Sequence, residues 1–238
     1  MIASQTVSLT LASSSPRRSE LLSQLGWQFR VVAPEIDESI LDLEAAQDYV
    51  HRVSIEKAKK VFDLQTFAEP KDAGLRLVLA SDTVVVLRDE ILGKPSDIFE
   101  AKEMLRRLSG NTHQVLTGIA LVLEPDKTGS ISEGAVDLSS LEFSVGSCDL
   151  GGRLILSSVI STDVLFKELS ADEIDRYCST QEPLDKAGSY GIQGQAAAFV
   201  KAIKGSYSGV VGLPLFETNE LLEFCCAFLI GRNECVMP

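Results

Sequence analysis

The chain has 238 residues, a formal net charge of −12, 45% hydrophobic residues and 24% charged ones. That balance belongs to an ordinary soluble globular protein, long enough to bury a core in one or two domains. The acidic excess argues against a broad nucleic-acid-binding face, yet it leaves room for a small anionic substrate held by local positive charge.

No stretch is apolar for about 18 residues, and the start lacks a basic region followed by an apolar one, so neither a membrane-spanning helix nor a secretory signal is expected. Five cysteines, an odd number without metal-type spacing, fit reduced thiols in a cytoplasmic protein. His51 and His113 are the only histidines. A His-rich metal site or a Ser-His-Asp triad is poorly supported on that count.

In chain order, Val7 to Ala12 reads as a short buried strand. Ser13-Ser14-Ser15-Pro16-Arg17-Arg18 follows, then Leu21, Leu22 and Leu25 at helical spacing and Gly26 as a stop. Ser15 suits an N-cap and Pro16 the first helical position. The free N–H groups and positive end of such a helix attract anions. Arginine is unfavourable there, so Arg17 and Arg18 together point to an anionic partner such as phosphate. Phe29 to Ala33 is a second strand, left through the acidic turn Pro34-Glu35-Ile36-Asp37-Glu38, a place for Mg²⁺ ligands or for solvated carboxylates. Residues 44–62 predict an amphipathic helix with Ala45, Tyr49, Val53, Ala58 and Val61 facing inward and most of Lys57, Lys59 and Lys60 on the surface; residues 63–76 read as a polar loop.

The stretch 79–95 organises the rest. The apolar run Leu77 to Ala80 ends at Asp82, the one charge between Leu77 and Leu87, and a second apolar run, Val84 to Leu87, follows. A charge in such surroundings is costly unless paired, bound to metal or set at the mouth of a site. Asp82 is therefore either a turn residue between two strands or a site carboxylate. Arg88-Asp89-Glu90 makes a turn, and Lys94-Pro95 closes the stretch.

Ile98 to Leu108 predicts a helix ending near Gly110, and Gln114 to Leu123 a long strand. Residues 124–153, rich in Gly, Ser and acidic residues, read as an excursion or extended hairpin. Leu154 to Phe166 is a strand; Ser170 and Glu173 form a capping box for a helix from Ala171 to about Ser179. The loop Glu182 to Gly194 brings Gly188, Ser189, Gly191 and Gly194 close to something and carries Asp185, Lys186 and Gln193. Ala197 to Ile203 reads as a strand, Val210-Val211 as a short apolar piece, and Gly212-Leu213-Pro214 as the start of a last helix, to about Leu229, in which Cys225-Cys226 packs inward. Residues 232–238 read as a tail. Alternating elements early and strands in the middle predict an α/β fold on a mixed sheet.

Taken together, Ser13–Arg18, Ala80-Ser-Asp-Thr83, Gly93-Lys-Pro95, Leu108-Ser-Gly110, Glu182–Gly188, Tyr190–Gly194 and Val211–Pro214 resemble the motifs of the Maf family of nucleoside triphosphate pyrophosphatases, in family order over residues 8–222 apart from 124–153. Each motif is weak alone; the ordered set is specific. The resemblance implies a single domain of two lobes, like that of the inosine triphosphatases, around an elongated mixed sheet with a central cleft. It implies cleavage between the α and β phosphates, a divalent cation (Mg²⁺ or Mn²⁺) and a homodimer; from charge and hydropathy, no nucleic acid or membrane is expected as partner. Arg17, Thr83 and Gln193 follow the dTTP/UTP branch. The 7-methyl-GTP branch has Trp, Gln and a Ser-Glu-Gly at those places.

By the same resemblance Asp82 is the proton acceptor and, with Glu38, a metal ligand. Lys94 joins Asp82 and Glu38 as a catalytic residue. Arg17, Arg18, Lys57, Thr83, Gln193, Ser13 and Ser15 bind substrate. Residues 124–153 depart from the compact members as an insertion. Two alternatives stay open: a pyrophosphatase preferring another base, such as 7-methyl-GTP, and a regulatory binding protein of the septation-inhibitor kind.

Overall fold

The structure is a computed structural model that describes residues 7–68, 75–123, 138–139, 141–149, 153–180 and 182–230. Within them lie strands β1 (Val7–Ala12), β2 (Phe29–Val32), β3 (Leu75–Leu87), β4 (Glu90–Leu92), β5 (Thr112–Leu123), β6 (Gly146–Asp149), β7 (Leu154–Phe166) and β8 (Val200–Lys204). The helices are α1 (Pro16–Gln24), α2 (Ala46–Ala68), α3 (Ile98–Leu108), α4 (Ala171–Cys178), α5 (Tyr207–Val211) and α6 (Leu215–Ile230). The strands make one mixed sheet in the order β2-β1-β3-β5-β7-β6, with β4 added to β3 and β8 to β7. β1 runs parallel to β2 and β3; the β3–β5 and β5–β7 pairings are antiparallel. The expected mixed α/β architecture is thus the observed one.

Side chains alternate across a strand with period two, and here the alternation decides which layer each residue meets. On β3, Leu77, Leu79, Val85 and Leu87 join the large core with α1, α3, α4 and α6. Val78, Ala80, Val84 and Val86 face the other way, into two smaller clusters built on α2. Helix α2 supplies Val50, Val53, Ala58, Val61 and Phe62 to that face, a stripe at three- and four-residue spacing. Gly118 of β5 lets the helix come close: a Cβ there would stand 2.3 Å from the Val50 carbonyl oxygen.

Several boundaries differ from the sequence reading. β3 is one strand through Asp82, because β5 pairs with it continuously from Leu77 to Val86, so the two apolar runs are not separate strands. Helix α2 starts at Ala46 and leaves Ala45 exposed, and it continues to Ala68 through much of the expected polar loop, whose residues 69–74 lie outside the described residues. A 3-10 turn over Gln195–Phe199 precedes β8, where a strand from Ala197 is expected. Val210 and Val211 belong to a short helix capped by Ser206, whose side chain accepts from Gly209 N–H.

Of the stretch 124–153, the final part forms a hairpin: β6 pairs with the start of β7, Gly146 opposite Ser157 and Asp149 opposite Leu154. Leu138, Leu141, Phe143 and Val145 pack on the large core. The expected insertion otherwise falls on residues 124–137, 140 and 150–152, outside the described residues, as does the expected tail at 232–238. The capping box at Ser170 is present, with both reciprocal bonds to Glu173 made.

Candidate active site

The cleft arises from a gap in the pairing of β3. On one edge β1 accompanies β3 only as far as Ala12, opposite Ala80, and β4 takes over only at Val85, opposite Leu92. Among the described residues, 81–84 therefore have no strand partner on that edge, at the carboxyl end of the parallel pair β1 and β2, where ligand crevices of α/β sheets form. The loops leaving β1 and β2 and the segment leaving β4 all arrive there. They enclose a cleft of about 600 Å³ lined by Ser13, Ser15, Arg17, Arg18, Glu38, Lys57, Asp82, Thr83, Lys94 and Gln193, among others. All ten residues singled out from the sequence stand on one cleft.

Parity sorts them. Asp82 is even-numbered, so it points to the α2 layer, where Lys57 completes the buried stripe. Lys57 Nζ lies 2.7 Å from Asp82 Oδ1 and 3.1 Å from Glu38 Oε1. Both Asp82 and Lys57 are 5% exposed, whereas the Glu38 side chain is 48% exposed. Of the three lysines expected mostly on the surface, Lys57 is buried and Lys60 exposed. Glu38 is held from behind: the Tyr49 hydroxyl donates to its carbonyl oxygen at 2.9 Å. Arg52 binds the Ser39 carbonyl at 3.0 Å and pairs with Glu44 at 2.6 Å, securing the same loop. Burial, and then the charges of Asp82 and Glu38, push the Tyr49 phenol up to about 12, so it remains a neutral donor.

Ser81 and Thr83 point to the opposite layer and meet the arginine side of the cleft. Arg18 donates from Nε to the Gly212 carbonyl at 2.8 Å, and its terminal nitrogens reach Ser13 Oγ at 3.4 Å and Thr83 Oγ1 at 3.3 Å. Ser81 Oγ donates to the same Gly212 carbonyl, and Thr83 Oγ1 lies 3.2 Å from Thr117 Oγ1, which donates to the Gly209 carbonyl. The guanidinium is thus fixed by neutral oxygens, with its charge uncompensated by direct pairing to a carboxylate among the described residues. Burial lowers the Arg18 pKa, and the carboxylates of Asp82 and Glu38 oppose that. Ser15 occupies the N-cap position of α1, but its side chain makes no capping bond; Ser13 Oγ instead accepts from Ser15 N–H. The first turn of α1 carries no acidic residue. This leaves a positive helix end beside Arg18.

Arg17 is tied across the cleft to Asp185 at 3.4 Å, and Lys186 contacts Asp185 at 2.5 Å and the Glu182 carbonyl at 2.8 Å. Lys94 is exposed in the cleft, on the segment whose Gly93 carbonyl accepts from Gly188 N–H of the late loop. Gln193 is exposed on the same loop, between Ile192, which anchors in the large core, and Gly194. The sequence reading left out Tyr49 and Glu182 as cleft residues. Tyr49 carries no sequence signal beyond its inward position on α2. Glu182 stands inside a quoted motif, and its role emerges only from the fold of that loop.

The donor set fits a hard divalent cation. Asp82 and Glu38 put two carboxylates on one wall, and no group of three or more His, Cys, Asp or Glu side chains suited to a metal occurs among the described residues. Mg²⁺ commonly takes one or two carboxylates and completes its shell with waters and substrate phosphates.

A profile of the family described as Maf-like protein matches residues 8–225. A dTTP/UTP pyrophosphatase of Colwellia psychrerythraea is 49% identical over 214 residues, covering 90% of this chain and 86% of its own length. The proteins of the same name from Vibrio parahaemolyticus and Salmonella typhimurium are each 45% identical, covering 92% and 95% of this chain and 97% of their own length. On the match over 8–225 and these identities, the chain belongs to the Maf family.

Proposed function

We propose that the protein hydrolyses nucleoside triphosphates, dTTP and UTP foremost, between the α and β phosphates, releasing the monophosphate and pyrophosphate. One observation carries the reading. A buried aspartate paired to a buried lysine shares a cleft with Arg17, Arg18 and Lys94, in a chain 45–49% identical to proteins named dTTP/UTP pyrophosphatase.

In this reading water attacks the α phosphorus. Its oxygen bonds to phosphorus, the bridging P–O bond to the β phosphate breaks, and pyrophosphate leaves with the electron pair. Asp82 takes the proton of the water. Lys57 fixes the carboxylate, while Lys94 and Arg18 neutralise charge on the leaving pyrophosphate. Ser13, Ser15 and the first turn of α1 bind phosphate oxygens. Arg17, Thr83 and Gln193 set the base, Gln193 offering both a donor and an acceptor to a pyrimidine edge. A Mg²⁺ or Mn²⁺ ion held by Asp82 and Glu38 supplies, when bound, charge neutralisation on the phosphates and a more acidic water. The chain works as one domain of two lobes, as a cytoplasmic homodimer, with residues 124–153 as an insertion, far in sequence from the motifs, that leaves the chemistry intact.

Asp82→Asn tests the assignment. Turnover of dTTP falls by a factor of about 10² or more if Asp82 is the base. Turnover close to that of the unaltered protein removes Asp82 from the role.

A further inference from the structure

Glu182 places a carboxylate in the lining of a cleft that, on the reading above, receives a triphosphate. Like charges repel, so a carboxylate there needs a reason of its own. Its contacts supply one. Glu182 Oε1 accepts from the Tyr177 hydroxyl at 3.1 Å, and Oε2 accepts from Gln195 N–H at 3.3 Å. The Tyr177 oxygen in turn accepts from Gly191 N–H at 3.3 Å. Burial, and then the charge of Glu182, push the Tyr177 phenol up, which keeps it protonated as a donor. The N–H of Glu182 donates to Thr180 Oγ1 at 3.2 Å, which anchors the residue at the foot of the loop.

The glycines show how closely the loop is wrapped on this side chain. A Cβ on Gly194 would stand 2.0 Å from Glu182 Oε1 and 2.4 Å from its carboxyl carbon, and one on Gly191 would stand 3.3 Å from Oε1. Gly191 and Gly194 are the two ends of a tight turn closed by Gly194 N–H donating to the Gly191 carbonyl at 3.0 Å. At its centre Ile192 is buried and Gln193 faces the cleft. The carboxylate thus grips the turn before Gln193, through Tyr177, and after it, through Gln195.

We propose that Glu182 is a positioning and specificity-determining residue: its carboxylate clamps the Gly191–Gln195 turn so that Gln193 meets the base already placed. This rests on the pyrophosphatase reading. Both carboxylate oxygens are engaged by the turn and by Tyr177, and so Glu182 acts through Gln193 and touches no substrate.

The test combines Glu182→Ala, Glu182→Gln, Gly194→Ala and the Glu182→Ala/Gly194→Ala double variant, read by steady-state pyrophosphate release with dTTP, UTP and 7-methyl-GTP. In Glu182→Ala, KM for dTTP and UTP rises about tenfold with kcat within about threefold, and 7-methyl-GTP use changes less. Glu182→Gln, whose amide oxygen still accepts from Gln195 N–H, recovers KM to within about threefold of the unaltered protein. Gly194→Ala alone reproduces the KM rise by displacing the carboxylate, yet adds less than about twofold in the Glu182→Ala background, where the space is empty.

Additive losses in the double variant, or equal losses for every base, overturn the proposal. Amide hydrogen exchange of Gly191 and Gln195 gives an answer independent of turnover. Faster exchange in Glu182→Ala supports the clamp, and unchanged exchange overturns it. Absence of pyrophosphate release by the unaltered protein overturns the pyrophosphatase reading itself, while the exchange result still decides the clamp.

Discussion

Lys57 stands between two carboxylates that differ in exposure. Asp82 is almost sealed against the sheet and α2, so its geometry is set by Lys57 and by the strand beneath it. Glu38 sits on a loop with half of its side chain in solvent, paired to Lys57 from the other side. A buried carboxylate on rigid backbone suits proton transfer, where small displacements are costly. Gln193 is exposed and lines the same cleft. Gln193→Glu exchanges the amide donor for a second acceptor and adds negative charge. Its expected effect is a larger loss in kcat/KM for dTTP and UTP than for 7-methyl-GTP, by about tenfold or more, measured on the purified variant. Equal losses across bases would show that Gln193 does not read them.

The pairing of α2 with β5 sets the distance between Lys57 and Asp82. Gly118 lies opposite Asp82 in the β3–β5 register and faces the same helix. A methyl group there meets the Val50 carbonyl at 2.3 Å and the Ser54 hydroxyl at 3.1 Å, so Gly118→Ala forces α2 away from the sheet. The expected loss of stability is about 2–3 kcal/mol, read from denaturant unfolding, with turnover reduced as Lys57 moves. Unchanged stability and turnover would show that the helix yields without carrying Lys57 along. Much of this arrangement was legible in the sequence. The strand, Ser-rich turn and helix over 7–24 followed from hydrophobic runs, Pro16 and Gly26, all local signals. The isolation of Asp82 in an apolar run marked a site, but its polar character also suggested a break that the continuous pairing with β5 overrides. The burial of Lys57 was hidden because a lysine reads as surface, although its place among Val50, Val53, Ala58 and Val61 at helical spacing pointed inward. The clamp of Glu182 on Gly194 was not legible, since it joins residues through a loop of 3-10 turns that no periodicity announces.

Across the whole molecule the charge runs against the site. The chain carries 34 acidic and 22 basic residues, and the cleft gathers Arg17, Arg18, Lys57, Lys94 and Lys186 together with the carboxylates of Glu38, Asp82, Glu182 and Asp185. Lys57 is paired to Asp82 and Glu38, and Arg17 and Lys186 to Asp185. Arg18 and Lys94 are thus the cleft cations without a direct carboxylate partner among the described residues, a local positive pair that favours a polyanion despite the like overall sign. Acid should loosen the fold through His113, which is buried against Tyr190 and Phe166 and bonds the Tyr190 hydroxyl at 2.8 Å. Desolvation lowers its pKa from 6.5 to about 4. The unfolded chain therefore binds the proton first, and stability present above about pH 6.5 declines as pH falls towards 4, by up to about 3 kcal/mol. Below the ordinary carboxylate range Glu44 and Glu173, held near 2 by Arg52 and Lys167, add to the decline. Thermal unfolding between pH 7 and 5 checks this, and His113→Phe should flatten the slope; an unchanged slope would assign it to other groups. The central claim concerns the reaction itself. Pyrophosphate release should be measured from a panel of nucleoside triphosphates with Mg²⁺ or Mn²⁺, then with chelator. The account predicts release led by dTTP and UTP and lost on chelation; release led by a purine nucleotide would contradict the roles given to Arg17, Thr83 and Gln193, and no release from any nucleotide would contradict the enzyme.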